Sequence, residues 1–326
     1  MLTTGHPPDP TGTGNLDMKA SGDGKRDHAA IVLAGGEGTR LRSLTRKISG
    51  CEIPKQFCPV VGTTTLLEQT LFRASLLVEP SRVLTVLTRA HERFYSPILA
   101  GASQQNLVIQ PDNRGTAPAI LYGLLRLAQV APSASVAIFP SDHYVGDELK
   151  FIHQVDLALE AATARPEITI LLGLAAQSPE VGYGWIEPGE PITAGASSLF
   201  KVLRFWEKPS RTTAQALLER GCLWNSFVMV ARASTLLGLI MMALPRLYTD
   251  FAAIRSKLGT PFEARAVRAL YAGLQPLNFS DQVLENQAVN LAVLPVCDLD
   301  WSDLGEPRRV MDLLARTGMT PRWAAA

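Results

Sequence analysis

From residue 29 onward, short continuous apolar runs alternate with longer segments of helical period. The runs are "AAIVLA" (29–34), "RVLTVLT" (82–88), "NLVIQ" (106–110), "SVAIF" (135–139) and "EITILLG" (167–173). They are of strand length and lack the polar alternation of a half-exposed strand, so they predict strands covered on both faces. Between them, "TTLLEQTLFRASLLV", "AHERFYSPILAG", "TAPAILYGLLRLAQV" and "DELKFIHQVDLALEAAT" carry the spacing of amphipathic or buried helices. Strand and helix in alternation predict an α/β protein with a doubly wound, mostly parallel sheet.

After Gly173 the pattern changes. "GYGWIEP", "SSLFKVLRFWEKPS" and "CLWNSFVMVA" read as sheet segments rich in aromatics, interrupted by helices near 212–220 and 233–272. A strand, "LAVLPV" (291–296), and a closing helix near 306–317 follow. This part is expected to form a mixed α+β lobe. The most apolar stretch, "LLGLIMMAL" (236–244), is too short to span a bilayer and is stopped by Pro245, which predicts a core helix, with Ser234 as its cap. Residues 1–27, rich in Pro, Gly, Thr and Asp without an apolar centre, read as a disordered tail and not a signal peptide. The expected organisation is one catalytic domain over 28–326, with halves at about 28–173 and 174–300 and the closing helix at 306–317.

Composition narrows the function classes. At 326 residues and 47% hydrophobic the chain can bury a large core. Lys plus Arg number 31 against 30 Asp plus Glu, so no net field steers it to nucleic acid or an anionic membrane. Any cationic work must be local. Cys51, Cys58, Cys222 and Cys297 form no CxxC pair, which predicts reduced thiols and a cytoplasmic setting. The scattered histidines form no Cys/His cluster for zinc, and His143 is expected to be a hydrogen-bonding residue at a strand end.

The chemistry-bearing segments follow strand ends. "GGEGTR" leaves the first strand with Gly35, Gly36 and Gly38, then supplies Thr39 and Arg40, with Lys55 downstream in "PKQF". Glycines there bring bare N–H groups to a phosphate, and the two cations suit a polyphosphate. The third glycine and the acidic residue of a dinucleotide fingerprint are missing, which counts against a nicotinamide oxidoreductase. In "FPSDH", Asp142 stands just past a buried strand, well placed to bind a hard cation such as Mg²⁺. "QPDNRGTAPAI" ends a strand and opens a helix, with Thr116 the expected cap and Pro118 in the first turn.

Together, "LAGGEGTRLRSLT…PKQF", "NRGTAPAI", "FPSDH", "GYGWIE" with "WEKPS", "LWNSF" and "DLDWSDLGEP" resemble the sugar-1-phosphate nucleotidyltransferases, and within them most closely the mannose-1-phosphate guanylyltransferase branch. The likeness runs from about Ala29 to Val310 in family order. It implies a Rossmann-like nucleotidyltransferase fold with a sugar-binding second lobe. The implied reaction moves a nucleotidyl group from an NTP, GTP first among them, to a hexose 1-phosphate, mannose 1-phosphate first among them. UTP or dTTP with glucose 1-phosphate is the alternative pair, and a non-catalytic binder of nucleotide sugars the alternative role.

The resemblance also implies roles for residues. Arg40 and Lys55 would contact the triphosphate and, with Asp142, form the catalytic set. Nucleotide contacts would come from Leu33, Gly35, Gly36, Gly38 and Thr39, and from Asn113, Arg114, Gly115 and Thr116. Asp142 and Asp303 would hold Mg²⁺, with Asp298 and Asp300 competing for the second place. Gly182, Tyr183, Gly184, Glu207, Lys208 and Asn225 would receive the sugar phosphate. No nucleic-acid or membrane partner is expected, and assembly into a homo-oligomer is left open. Four departures stand out: a long spacer, "LRSLTRKISGCEI", read as a loop carrying Arg42, Arg46 and Lys47; Ser43 in place of a common proline; Phe227 where glycine is common in mannose-specific members; and "NFSDQVLENQA" (278–288), which matches the family's helix there only loosely. The chain carries no hexapeptide repeat or cupin-like extension, so no second activity is expected.

Overall fold

The computed structural model describes residues 28–194 and 197–324. The tail expected over residues 1–27 therefore lies outside the described residues. The first half runs β1 (His28–Leu33), α1 (Arg42–Ser49), α2 (Leu66–Leu77), β2 (Val83–Thr88), α3 (Glu92–Ile98), β3 (Leu107–Gln110), α4 (Thr116–Val130), β4 (Ser135–Pro140), β5 (Tyr144–Val145), α5 (Glu148–Ala164) and β6 (Thr169–Ala175). The second runs β7 (Gly184–Ala194), β8 (Ser197–Glu207), α6 (Arg211–Glu219), β9 (Leu223–Arg232), α7 (Ala233–Ala243), α8 (Pro245–Ala252), α9 (Glu263–Gly273), β10 (Leu291–Val296), β11 (Trp301–Ser302) and α10 (Pro307–Thr317).

Nine of these strands form one sheet in the order β3-β2-β1-β4-β9-β6-β10-β8-β7. β3, β2, β1 and β4 are parallel, as are β6 and β10. β9 is inserted antiparallel between β4 and β6, and β8 and β7 close the far edge antiparallel. The fold is thus α/β with a mostly parallel central sheet. Its continuous apolar strands are the buried ones: every residue of β2 and β4 is buried. One face packs on α2, α5 and α6 through Leu67, Phe151 and Leu217; the other packs on α4, α7, α8 and α9 through Ile120, Leu236, Phe251 and Tyr271.

A third, smaller apolar cluster joins Leu41 and Leu44 at the start of α1 to Val310, Leu313 and Leu314 of α10. The spacer expected as a loop is therefore a helix, because Leu44 has this cluster to cover while Arg42, Arg46 and Lys47 stay exposed. Two expected caps also differ. Ser234 lies inside α7, whose N-cap is Arg232 with no side-chain cap. Thr116 is the first residue of α4 and not its cap, which is Gly115; its hydroxyl is spent on the loop at Asn278 and Phe279 instead.

Two features of the sheet position the site. Ligands of such sheets sit beyond the carboxyl ends of the parallel strands. Past those ends, β5 and β11 form an antiparallel ribbon with Tyr144 opposite Ser302, which fastens the segment after β4 to the segment after β10. In β9, Asn225 pairs with Gly173 and Met229 with Leu171, so Ser226 to Val228 bulge against Leu172 alone. Ser226 Oγ donates to Leu172 O at 2.7 Å and accepts from Val228 N at 3.2 Å, which closes the bulge. Phe227, at its apex, has φ +60°, a conformation that favours glycine.

Candidate active site

A cleft of about 370 Å³ opens over these strand ends. Its nucleotide-side wall starts at Leu33, Gly35 and Gly36. The glycine loop is stapled from beneath: Gln56 Nε2 donates to Ala34 O at 3.1 Å and to Gly36 O at 2.7 Å, and Thr88 Oγ1 donates to Gly35 O at 3.0 Å. A Cβ on Gly35 would stand 2.8 Å from Gln110 Nε2, whereas one on Gly36 would meet nothing within 4 Å. Gly36 therefore keeps bare backbone toward open space. The left-handed turn is made at Gly38, with φ +58°.

Gln110 ends β3 fully buried and borders the cleft. Its Oε1 accepts from Tyr271 Oη at 3.0 Å, so the amide nitrogen is the end left for a ligand. Nearby, Gly115 has φ +85° and packs so tightly that a Cβ would lie 2.3 Å from Leu277 O. That close approach is why glycine stands there, and it seats Asn113, Gly115 and Thr116 on the cleft wall.

At the floor, Lys55 is only 7% exposed. Its Nζ lies 3.2 Å from Asp142 Oδ2 and also donates to the carbonyls of Asp303 and Leu304. Asp142 Oδ1 is 3.5 Å from His143 Nε2. Burial pushes the His143 imidazole down to about 4, against the pull of Asp142, so it is neutral at physiological pH. Asp303 Oδ1 accepts from Arg309 Nη1 at 2.7 Å and Gly305 N at 2.8 Å. Burial would raise its carboxyl, but Lys55, His143 and Arg309 outweigh it and hold the group below its ordinary value. Arg40 reaches the rim, half exposed, with Glu306 Oε1 3.8 Å away.

The opposite wall carries Gly182, Tyr183, Gly184, Glu207, Lys208, Asn225 and Phe227. Lys208 Nζ is 2.8 Å from Glu207 Oε1, and its backbone N donates to Tyr183 O at 3.2 Å. Asn225 Oδ1 accepts from Phe227 N at 3.1 Å. Tyr183 stacks edge-on with both Trp224 and Trp301, a rigid aromatic base for this wall. The glycines here answer to protein atoms: a Cβ on Gly182 would lie 2.5 Å from Arg309 Nη2, and one on Gly184 2.9 Å from Phe205 Cζ.

One cleft thus gathers Leu33, Gly35, Gly36, Arg40, Lys55, Asn113, Gly115, Thr116, Asp142, Asp303 and the six residues expected on the sugar side. Gly38 and Thr39 line an adjoining recess that shares Arg40, Lys55 and Asp142 with it. Arg114 borders neither and faces Asp112 at 3.8 Å. Asp298 and Asp300 also lie off the cleft, Asp300 being paired with Arg316. Arg42 and Arg46 are turned to Glu37 and Glu52. Gln56, Gln110 and Arg309 escaped the sequence reading. Only Gln110 left a trace, as a polar residue ending a buried strand.

Asp142 and Asp303 are the two carboxylates of the floor that could hold a cation. Among the described residues no group of three or more His, Cys, Asp and Glu side chains is placed around a metal position. All four cysteines are free thiols. Among the described residues no helix is long and apolar enough to cross a membrane.

The chain belongs to the nucleotidyl transferase family, whose model matches residues 29–317. It is similar to the xanthan biosynthesis protein XanB of Xanthomonas campestris pv. campestris, with 30% identity over 90% of this chain and 60% of that protein. The mannose-1-phosphate guanylyltransferase of Escherichia coli strain K12 is 29% identical over 88% of this chain and 60% of its own length. The chain thus spans about 60% of the length of these curated relatives. Among solved structures it is similar to the mannose-1-phosphate geranyltransferase of Thermus thermophilus, with TM-score 0.75 and 30% identity over 89% of this chain and 79% of that one. A UDP-glucose pyrophosphorylase solved with UDP-glucose shares the fold at TM-score 0.56 and 15% identity, covering 89% of this chain and 98% of its own.

Proposed function

We propose that this chain transfers a nucleotidyl group from an NTP to a hexose 1-phosphate, releasing pyrophosphate and giving a nucleotide sugar. The observation that carries the reading is the convergence of Arg40, Lys55, Asp142 and Asp303 on one cleft whose far wall holds Glu207, Lys208 and Asn225. Relatives that are mannose-1-phosphate guanylyltransferases support GTP and mannose 1-phosphate as the pair. Gln110 agrees on the base. With its oxygen engaged by Tyr271, it offers a donor, which suits an acceptor such as the keto oxygen of guanine.

In the proposed reaction a sugar-phosphate oxygen attacks the α-phosphorus in line and the pyrophosphate leaves, so no side-chain nucleophile is required. The obstacle is repulsion between two anions. Bare N–H groups near Gly36 receive phosphate oxygens, Lys55 meets the reacting phosphates from the floor, and Arg40 swings from Glu306 onto the leaving pyrophosphate. Lys208, released from Glu207, grips the sugar phosphate while Glu207 and Asn225 bind hydroxyls. Catalysis is positioning plus preorganised charge.

Asp142 and Asp303 fit Mg²⁺ by their chemistry: both are hard oxygen donors, and Mg²⁺ takes one or two carboxylates while filling its remaining positions with water and phosphate. When bound there, Mg²⁺ would neutralise phosphate charge and brace the leaving group. The direct test crosses a panel of NTPs with hexose 1-phosphates in the presence of Mg²⁺ and reads pyrophosphate release. Turnover is expected, with GTP and mannose 1-phosphate the preferred pair. No release with any pair removes the reading.

A further inference from the structure

Arg309 has no place in the reaction just described and does not border the main cleft. Yet it lies, 13% exposed, between the floor carboxylate Asp303 and the sugar-side wall. From the first turn of α10 its Nη1 donates to Asp303 Oδ1 at 2.7 Å, and its Nη2 donates to Glu180 Oε2 at 2.9 Å. The guanidinium carbon sits 4.2 Å from the centroid of the Tyr183 ring. The chain narrows to Gly182 beside it, since a Cβ there would fall 2.5 Å from Nη2.

We propose that Arg309 is a positioning residue that couples the cation-holding carboxylate Asp303 to the sugar-facing segment Glu180–Gly184. This rests on the reading above, which gives Asp303 a metal and the wall that carries Tyr183 the sugar phosphate. Two arguments carry it. The first is the geometry of the guanidinium, whose planar fork serves two carboxylates from two nitrogens while its face covers an aromatic ring; a lysine ammonium can replace its charge but not that span. The second is the accounting of Asp303. Oδ1 already takes both Arg309 and the Gly305 N–H, so only Oδ2 remains for a cation, and a positive neighbour competes for the carboxylate.

Arg309 therefore weakens cation binding in exchange for a fixed single-oxygen donor, and it stiffens the sugar wall. The nucleotide loop, held separately by Gln56 and Thr88, does not depend on it.

The test compares the full chain with Arg309→Met and Arg309→Lys. Mn²⁺ serves as probe, titrated without substrates and followed by the electron paramagnetic resonance of the free ion. In parallel, KM is measured for the NTP and for the hexose 1-phosphate. With the competing positive charge gone, Arg309→Met should bind Mn²⁺ about tenfold more tightly, while its KM for the sugar phosphate rises about tenfold and its KM for the NTP stays within about twofold. Arg309→Lys should return Mn²⁺ affinity to the wild-type value but keep the raised sugar-phosphate KM. General structural damage would weaken every ligand together and lacks this pattern. Mn²⁺ affinity that is unchanged or weaker in Arg309→Met, or a wild type that binds no Mn²⁺, overturns the proposal. Equal rises in both KM values do so too. If the wild type releases no pyrophosphate with any pair, the functional reading fails by itself and takes the sugar-wall half of the proposal with it, while the Mn²⁺ titrations of the three proteins still decide what Arg309 does at Asp303.

Discussion

Replacing Lys55 by Met keeps the aliphatic stem in its buried slot and removes only the ammonium. Two losses follow. In the resting protein, Asp142 loses a cation 3.2 Å away and the carbonyls of Asp303 and Leu304 lose a donor. Asp142 is about one-third exposed, so water replaces much of its pairing, and the remaining cost is about 1–2 kcal/mol. During turnover the loss is larger. A cation facing a phosphate charge at about 4 Å contributes about 4 kcal/mol at an effective dielectric near 20. Because Asp142 already neutralises part of the Lys55 charge and the cleft is open to water, the share realised in the transition state is about 2–3 kcal/mol, or about a hundredfold in rate. The expected outcome is a folded protein, melting a few degrees lower, whose rate of pyrophosphate release falls about a hundredfold. Pyrophosphate release within about threefold of wild type, at saturating substrates and with an intact circular-dichroism spectrum, would refute the electrostatic argument for Lys55.

Three further outcomes are expected. Asp142→Asn should weaken Mn²⁺ binding about tenfold or more and abolish most divalent-dependent turnover, and full activity would move the cation elsewhere. Gly115→Ala forces φ +85° on a residue with a Cβ and drives that Cβ to 2.3 Å from Leu277 O. It should cost at least about 2 kcal/mol in urea denaturation, and an unchanged midpoint would contradict the close approach. His143 titrates near 4 in the folded chain against 6.5 ordinarily, so the unfolded chain takes up the proton first as pH falls. Its contribution is complete above pH 6.5 and is lost between there and about pH 4, to the extent of about 3 kcal/mol. Urea denaturation of His143→Gln at pH 7, 6 and 5 should show a flatter loss than wild type, and parallel curves would assign the acid sensitivity to another group.

Much of the sheet was legible because its strands are buried on both faces. "SVAIF" and "LAVLPV" admit no other economical placement, and both became central strands. The end of "SVAIF" then pointed to Asp142, and the resemblance added Asp303. What brings those two together was not legible, since the ribbon of Tyr144–Val145 with Trp301–Ser302 is too short to leave a periodic signal. The antiparallel insertion of β9 was hidden for a related reason: a strand covered on both faces carries no mark of its direction. Side chains that act across long sequence gaps were also out of reach. Arg309 follows Arg308 in the sequence and looks like one more surface cation, and only the fold turns it toward Glu180 and Asp303. Thr116 and Ser234 were misplaced as caps because helix ends are set by what the neighbouring loop offers, here Asn278 and Phe279 for Thr116. Phe227 was visible as an anomaly, and its left-handed backbone gives that anomaly a location at the apex of the bulge.

The reversed strand β9 has a mechanical consequence. It hydrogen-bonds to β4 on one side and β6 on the other, and it carries Asn225 and Phe227 at the end that meets the cleft. Opening a seam along β9 would tear its ladder bonds to β4 or to β6, so this strand ties the two flanks of the sheet together. Any opening of the cleft that spares this strand falls to the rim segments above it.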